Sequence, residues 1–126
     1  MGVARQYCGA TGQTENCQVM PMLSYASGHG HAFLDRALYL PRCWTDDAQR
    51  CAQAGVPAER GFLTKPQLVI DMLDRALHAG VPFRYFTADA GYGRDPGCGP
   101  AATPPWWPTC WPSRSICRWS HPAVDR

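Results

Sequence analysis

The sequence predicts an α/β fold: a partial mixed sheet with flanking helices, followed by an irregular tail rich in proline and tryptophan. Three observations lead to this expectation. Short β-prone runs are bounded by glycine and proline. One longer segment carries apolar residues at helical spacing. The last part of the chain, residues 98–126, holds four of the five tryptophans and six of the twelve prolines without any periodicity.

Length and composition indicate the broad class. With 126 residues and a formal net charge of +2, the chain is sized for one domain, and its charge alone indicates no nucleic-acid partner. No apolar run reaches the length of a membrane span, and residues 1–18 lack the apolar block of a secretory signal. We therefore expect a cytoplasmic protein without membrane contact, associated with the nucleoid if it binds DNA.

The first predicted elements form a hairpin. Residues 16–27 are largely apolar and predict a strand, which Gly28 and Gly30 end in a turn. The return strand, residues 32–40, alternates between two faces until Pro41 stops it. Residues 44–54 then predict a short peripheral helix that Thr45 caps and Gly55 ends.

The clearest predicted helix covers residues 65–79. Thr64 and Gln67 have the spacing of a capping box, and Gly80 closes the helix. Apolar residues at helical spacing predict one buried stripe, made of Leu68, Val69, Met72, Leu73, Ala76 and Leu77. The polar residues expected to face solvent are Asp71, Asp74, Arg75 and His78.

A strand predicted at residues 83–88 ends at Asp89. The order of elements predicts that this strand lies parallel to a neighbour, joined to it by a helical crossover. Ligands favour the carboxyl ends of such strands, where a carboxylate can hold a hard divalent cation such as Mg²⁺. From spacing alone, a turn or capping role for Asp89 stays open.

The seven cysteines are expected to be free thiols, because their number is odd and no Cys-x-x-Cys pair occurs. A zinc site made of Cys110, Cys117 and His121 fits no familiar spacing. His29 and His31 lie between glycines and are expected to be turn residues. A small thiol or metal protein is thus the least favoured class of function.

Several segments within residues 2–97 carry a resemblance to a known family. In chain order they are Val3-Ala4-Arg5-Gln6-Tyr7, Glu15-Asn16-Cys17-Gln18-Val19, Leu38-Tyr39-Leu40-Pro41 with Trp44 and Asp46-Asp47, Thr64-Lys65-Pro66, and Thr87-Ala88-Asp89-Ala90-Gly91-Tyr92-Gly93. Together they resemble the catalytic core of the DDE-superfamily endonucleases of bacterial insertion sequences, which act in DNA transposition.

The resemblance implies a ribonuclease H-like core in which three carboxylates hold two Mg²⁺ ions for DNA strand cleavage and transfer. Asp89 matches the second of these carboxylates, and Gly91, Tyr92 and Gly93 match the loop that supports it. The family's other two carboxylates have no matching position, and Asp46, Asp47 and Asp95 are expected to be surface or loop residues. We therefore expect a truncated transposase fragment that cannot cut DNA by itself.

A non-catalytic role is the alternative. The fragment would bind the insertion-sequence ends, or associate with a full-length transposase, without performing chemistry. The candidate phosphate contacts are Arg5, Arg84 and Arg94, together with Arg36, Arg42 and Arg75, although arginines scattered in this way also suit a solvated surface. Salt-dependent DNA binding without Mg²⁺-dependent nicking would favour this alternative.

The tail suggests a shifted reading frame. Every Trp codon is TGG, so reading one base earlier turns Trp106, Trp107, Trp111 and Trp119 into Val, Leu or Met. Such a run would restore a buried-strand pattern. We therefore predict a partial transposase core at residues 1–97 and an out-of-frame tail at residues 98–126.

Overall fold

A computed structural model describes residues 1–89, Tyr92 and the backbone of residues 116–118. The chain divides into two units, Met1–Val69 and Ile70–Arg126. The strands are β1 (Ala4–Cys8), β2 (Gln13–Cys17), β3 (Met22–Ser27), β4 (Gly30–Arg36), β5 (Tyr85–Thr87) and β6 (Ile116–Arg118). The helices are α1 (Arg42–Thr45), α2 (Ala48–Gln53) and α3 (Lys65–His78). Strands and helices together confirm the α/β class in this coarse sense.

An amino-terminal hairpin, which the sequence analysis did not predict, pairs β1 with β2 in antiparallel register from Ala4 opposite Cys17 to Cys8 opposite Gln13. Gly12 closes its turn with φ of 70° and donates its backbone N–H to the Cys8 carbonyl at 2.9 Å. A positive φ of this kind suits glycine, which has no Cβ to clash. The single strand predicted at residues 16–27 is therefore wrong, because its first residues belong to β2.

The predicted hairpin between β3 and β4 is confirmed. The two strands pair antiparallel around Ser27 and Gly30, with a bulge between Leu23 and Ser24. Beyond the strands, Ala37 N–H donates to the Pro21 carbonyl at 3.1 Å, and Tyr39 N–H donates to the Val19 carbonyl at 3.0 Å. The return strand is shorter than predicted, yet these two bonds continue the pairing toward Pro41.

The predicted helix at residues 44–54 is two short helices. Thr45 is the last residue of α1 and caps nothing, so its predicted role is wrong. The cap of α2 is Asp47, whose carboxylate accepts the Arg50 N–H at 2.9 Å, since a carboxylate satisfies an otherwise unpaired N–H of the first turn.

A small apolar core belongs to the first unit. Leu40, Trp44 and Val56 are buried, and Leu38, Cys51 and Ala54 pack against them. The Trp44 indole Nε1–H donates to the Val3 carbonyl at 2.8 Å. This bond ties the amino terminus to α1 across 41 positions of sequence.

Helix α3 confirms its prediction closely. Thr64 N–H donates to Gln67 Oε1 at 2.8 Å, and Gln67 N–H donates to Thr64 Oγ1 at 3.4 Å, which completes the capping box. The apolar stripe is buried, with Ile70 in addition and with Leu77 partly exposed. Gly80 follows the helix with φ of 72°, and it donates to the Leu77 carbonyl at 2.9 Å.

The strand that leads to Asp89 departs from the prediction. In the part of the chain that the structure describes, β5 has one neighbour, β6, and the two strands are antiparallel. All three described sheets are two-stranded and antiparallel, so the predicted parallel neighbour does not occur there. The tail, predicted to be irregular, supplies β6, whose register places Phe86 opposite Cys117.

Candidate functional site

Asp89 lies two positions after the end of β5. Phe86 is buried at 8 % exposure and anchors the strand, whereas Tyr85 and Thr87 on its other face are exposed. The carboxylate-bearing residue Asp89 is exposed as well. The buried Phe86 thus fixes β5, and Asp89 follows the strand at the protein surface. A carboxylate in such an exposed position can reach a metal ion.

Tyr92 forms a turn with Asp89. The backbone N–H of Tyr92 donates to the Asp89 carbonyl oxygen at 3.0 Å. Partial burial raises the pKa of the Tyr92 phenol, and the negative charge of Asp89 raises it further. Both effects disfavour the phenolate, and they add to the ordinary preference of a tyrosine hydroxyl for its protonated form at neutral pH. Gly91 and Gly93, the other predicted loop residues, lie outside the described residues.

The Asp89 carboxylate has the right chemistry for one ligand of a hard divalent cation, because its oxygens suit Mg²⁺. The rest of a metal site does not accompany it: within residues 1–89, Tyr92 and the backbone of 116–118, no group of three His, Cys, Asp or Glu side chains could hold a metal ion. Asp47 is used as the cap of α2, and Asp46 is exposed beside it. Asp95 lies outside the described residues.

The predicted phosphate contacts are exposed wherever the structure describes them. Arg5 is exposed on β1 in the first unit, and Arg84 is exposed just before β5 in the second. Arg94 lies outside the described residues. Each exposed guanidinium can reach solvent, and their DNA contacts stay a prediction.

The cysteines and histidines indicate no separate site in the described part of the chain. Cys8, Cys17, Cys43 and Cys51 are free thiols, as predicted. His29 is in the hairpin turn, where its N–H donates to Ser27 Oγ at 3.2 Å, while His31 belongs to β4 rather than to the turn. Cys110, His121 and the Cys117 side chain, whose spacing fits no familiar zinc site, lie outside the described residues. No described helix is long and apolar enough to cross a membrane.

A set of contacts between cations and aromatic rings was not predicted from the sequence. The Arg42 guanidinium carbon is 4.2 Å from the centre of the Phe62 ring, and the Lys65 ammonium is 5.1 Å from the centre of the Tyr39 ring. The Arg50 guanidinium carbon is 3.9 Å from the centre of a Trp44 ring. The available signal was the interleaving of aromatic and basic residues between positions 39 and 65.

Comparison with known proteins gives one family. A family model described as DDE superfamily endonuclease matches residues 1–101. No curated protein matches the chain significantly, and no solved structure does so. The matched range contains Asp89, Tyr92 and the ring contacts, and it ends a few residues beyond position 97, where the resemblance was predicted to end.

Proposed function

The chain belongs to the DDE superfamily endonucleases, and on this premise we propose that Asp89 is one of the carboxylates of a transposase active site. The parent activity would be Mg²⁺-dependent cleavage and transfer of DNA strands at the ends of a bacterial insertion sequence. Enzymes of this family generally use divalent metal ions and act on DNA. The choice of Mg²⁺, the insertion-sequence ends and the role of Asp89 are parts of the proposal.

The observation that carries the proposal is the placement of Asp89. A buried residue, Phe86, fixes the strand, and the strand ends two positions before the exposed residue Asp89. The Tyr92 N–H then holds the Asp89 carbonyl, which defines the path of the backbone on the other side. A ligand whose backbone is restrained on both sides loses little conformational entropy when it binds a cation.

Tyr92 has a supporting role in this proposal. A tyrosine phenol is ordinarily neutral at pH 7, and burial and the Asp89 charge both raise the pKa of Tyr92 further. A neutral phenol adds no second negative charge beside Asp89, and it can donate a hydrogen bond toward an anionic substrate. We assign to Tyr92 the positioning of the turn and not a step of bond cleavage.

We further propose that the chain does not cut DNA by itself. A two-metal site activates the attacking oxygen and stabilises the leaving oxygen, and it needs several carboxylates around the cations. The described residues bring none to Asp89 that would complete a group of three. The chain then acts as a fragment, and the predicted out-of-frame tail at residues 98–126 would account for the loss of a downstream carboxylate.

A second candidate function is binding without catalysis, either to DNA or to a full-length transposase. The observation in its favour is the exposure of Arg5 and Arg84 in the absence of a described metal site. Exposed cations attract the phosphate backbone in a salt-dependent manner. In this case the fragment would occupy insertion-sequence ends and interfere with the intact enzyme.

The first experiment uses Mn²⁺ as a paramagnetic probe in two-dimensional NMR of the full chain. We expect Mn²⁺ to broaden the amide signals of Asp89 and Tyr92 in the wild type, and added Mg²⁺ to reverse the broadening. Asp89→Asn should abolish the effect at these residues. Asp71→Asn is the matched control, because Asp71 is an exposed aspartate on α3.

The outcomes separate the parts of the proposal. Equal broadening in wild type and Asp89→Asn would show that Asp89 is not a metal ligand. The same proteins are then incubated with supercoiled plasmid and Mg²⁺, where no nicking is expected. Nicking by the wild type that Asp89→Asn abolishes would keep the catalytic role of Asp89 and would contradict the inactivity of the isolated chain.

A further inference from the structure

Four side chains of the first unit form a ring and cation cluster, made of Tyr39, Arg42, Phe62 and Lys65. The two rings meet edge to face, with centres 6.4 Å apart and planes at 67°. Arg42 lies against Phe62 at 4.2 Å, and Lys65 lies near Tyr39 at 5.1 Å. The cluster therefore places one positive charge against each of two aromatic rings that contact each other.

Both cations of the cluster are available to an external anion. Arg42 is exposed and Lys65 is partly exposed. Among the residues that the structure describes, neither one forms an ion pair or a side-chain hydrogen bond. Contact with an aromatic face leaves the N–H groups of such cations free to donate, and it contributes about 0.5–1 kcal/mol at an exposed site. Neither cation therefore has an internal carboxylate partner within the described part of the chain.

The backbone positions of the two cations are also well defined. Arg42 is the first residue of α1, directly after the extended Pro41. Lys65 is the first residue of α3 and follows Thr64, which takes part in both bonds of the capping box. Phe62 and Tyr39 are partly buried, so their rings have a fixed environment. An anion that binds here orders few additional torsions, which lowers the entropic cost of binding.

The acidic residues nearby in sequence do not neutralise the cluster. Asp46 and Asp47 follow Arg42 in the chain, but the Asp47 carboxylate accepts the Arg50 N–H as the cap of α2. Neither aspartate forms an ion pair with Arg42 or Lys65. Arg60 adds another cation in the same unit, with Nη2 donating to the Leu38 carbonyl at 3.5 Å.

We propose that the ring and cation cluster is a contact surface for the phosphate backbone of duplex DNA. Arg and Lys are the residues that neutralise backbone phosphates, and such contacts position a protein on DNA without reading sequence. The inference rests on the proposed function as a DNA-directed nuclease, and it adds a surface that is separate in sequence from Asp89. A free phosphate ion has the same chemistry, so the experiment must distinguish it from DNA.

The test measures binding of a fluorescein-labelled DNA duplex of mixed sequence by anisotropy, across a salt titration without divalent metal. Each phosphate contact contributes ~0.9 to the slope of log K against log salt concentration. Arg42→Gln and Lys65→Gln should each lower the magnitude of the slope by about 0.9. Arg36→Gln is the matched control, since Arg36 is exposed on β4 and has no ring contact in the described structure.

Charge-conserving variants guard against effects on folding. Arg42→Lys combined with Lys65→Arg should keep the wild-type slope, and far-UV circular dichroism should be unchanged in all variants. Slopes of Arg42→Gln and Lys65→Gln equal to that of Arg36→Gln would overturn the proposal. Duplex binding that is absent in the wild type would overturn it as well, as would NMR shifts with inorganic phosphate but none with the duplex.

The surface and the proposed function fail in different ways. Asp89→Asn should leave the salt slope of the metal-free protein unchanged or slightly steeper, because it removes a negative charge. If Mn²⁺ broadening depends on Asp89 while the slopes do not depend on Arg42 or Lys65, only the surface is refuted. If the slopes respond and the broadening does not depend on Asp89, the role of Asp89 is refuted and the surface remains.

Discussion

Replacement of Trp44 by Phe should loosen the attachment of the amino terminus to α1. The substitution removes the Nε1–H that donates to the Val3 carbonyl at 2.8 Å. It also shortens a side chain that is only 6 % exposed and packs in the core of the first unit. The Arg50 guanidinium would keep an aromatic face, although a smaller one.

The magnitude follows from these contacts. Loss of the hydrogen bond costs about 1 kcal/mol, as typical for a neutral pair. The smaller ring leaves a partial cavity, which adds ~1–2 kcal/mol by comparison with other reductions of buried side chains. The weaker cation contact adds a few tenths, so the total destabilisation is ~2–3 kcal/mol.

The assay is urea unfolding followed by far-UV circular dichroism, with amide hydrogen exchange of β1 as a local readout. We expect a lower midpoint and faster exchange at residues next to Val3. Tyr7→Phe is the control, because Tyr7 is 61 % exposed on β1 and should change stability by less than ~0.5 kcal/mol. A Trp44→Phe protein as stable as this control would refute the contribution of the indole bond.

Four further predictions follow from single features. Gln67→Ala should lower the free energy of unfolding in urea at least as much as Thr64→Ala, by about 0.5–1 kcal/mol each. The reason is that the Gln67 side chain accepts the Thr64 N–H at 2.8 Å, whereas the Thr64 side chain accepts the Gln67 N–H at the longer distance of 3.4 Å. A much larger loss of stability in Thr64→Ala would contradict this ranking. Gly80→Ala should destabilise by ~1 kcal/mol, since φ is 72° there, whereas Gly9→Ala, at a negative φ with open space around it, should be nearly neutral. Thr11→Ala should raise the pKa of Glu15 toward its ordinary value in an NMR titration, because the hydrogen bond from the Thr11 hydroxyl at 2.6 Å lowers that pKa in the native protein. The stabilisation by this bond is present above the pKa of Glu15 in the unfolded chain, and it is lost as the pH falls through the pKa of Glu15 in the folded protein. An unchanged pKa in the variant would refute the bond. Sequencing the DNA that encodes and flanks residues 98–126 should reveal, in a frame shifted by one base, a further transposase strand and a helix with a glutamate; flanks without such coding would refute the frame shift.

Helix α3 and its cap could be read from the sequence because they depend on local rules. Thr64 and Gln67 satisfy each other's N–H groups within four residues, and Gly80 supplies the positive φ that ends the helix. The apolar stripe was equally local, since its period is that of the helix itself. The hairpin between β3 and β4 was also predictable from local sequence, because Gly28 and Gly30 interrupt two β-prone runs.

The errors concern features in which two signals competed. Residues 16–27 form one apolar run, but the pairing of Cys17 with Ala4 draws its first part into the β1–β2 hairpin. Thr45 and Asp47 are both good caps, and only the path of the backbone decides that Asp47 accepts the Arg50 N–H. The partner of β5 depends on contacts across many residues, which local patterns do not specify.

For the candidate site, the family resemblance selected Asp89, and chemistry alone could not have done so. A single aspartate after a strand is often a turn residue. Asp89 has this role as well, because its backbone carbonyl accepts the Tyr92 N–H. The ring and cation cluster could not be predicted from the sequence for a different reason. Lys65 meets Tyr39 from a position 26 residues later in the chain, so the contact exists only after the first unit has folded.

The bond between Trp44 and Val3 also implies an order of folding. The β1–β2 and β3–β4 hairpins join residues that are close in sequence, and hairpins of this kind form in about 1–10 μs. Closing the 41-residue loop between Val3 and Trp44 costs ~3 kcal/mol of chain entropy if the intervening residues are still disordered. Prior formation of the two hairpins shortens that loop, so we expect the indole to dock last, once both hairpins are in place.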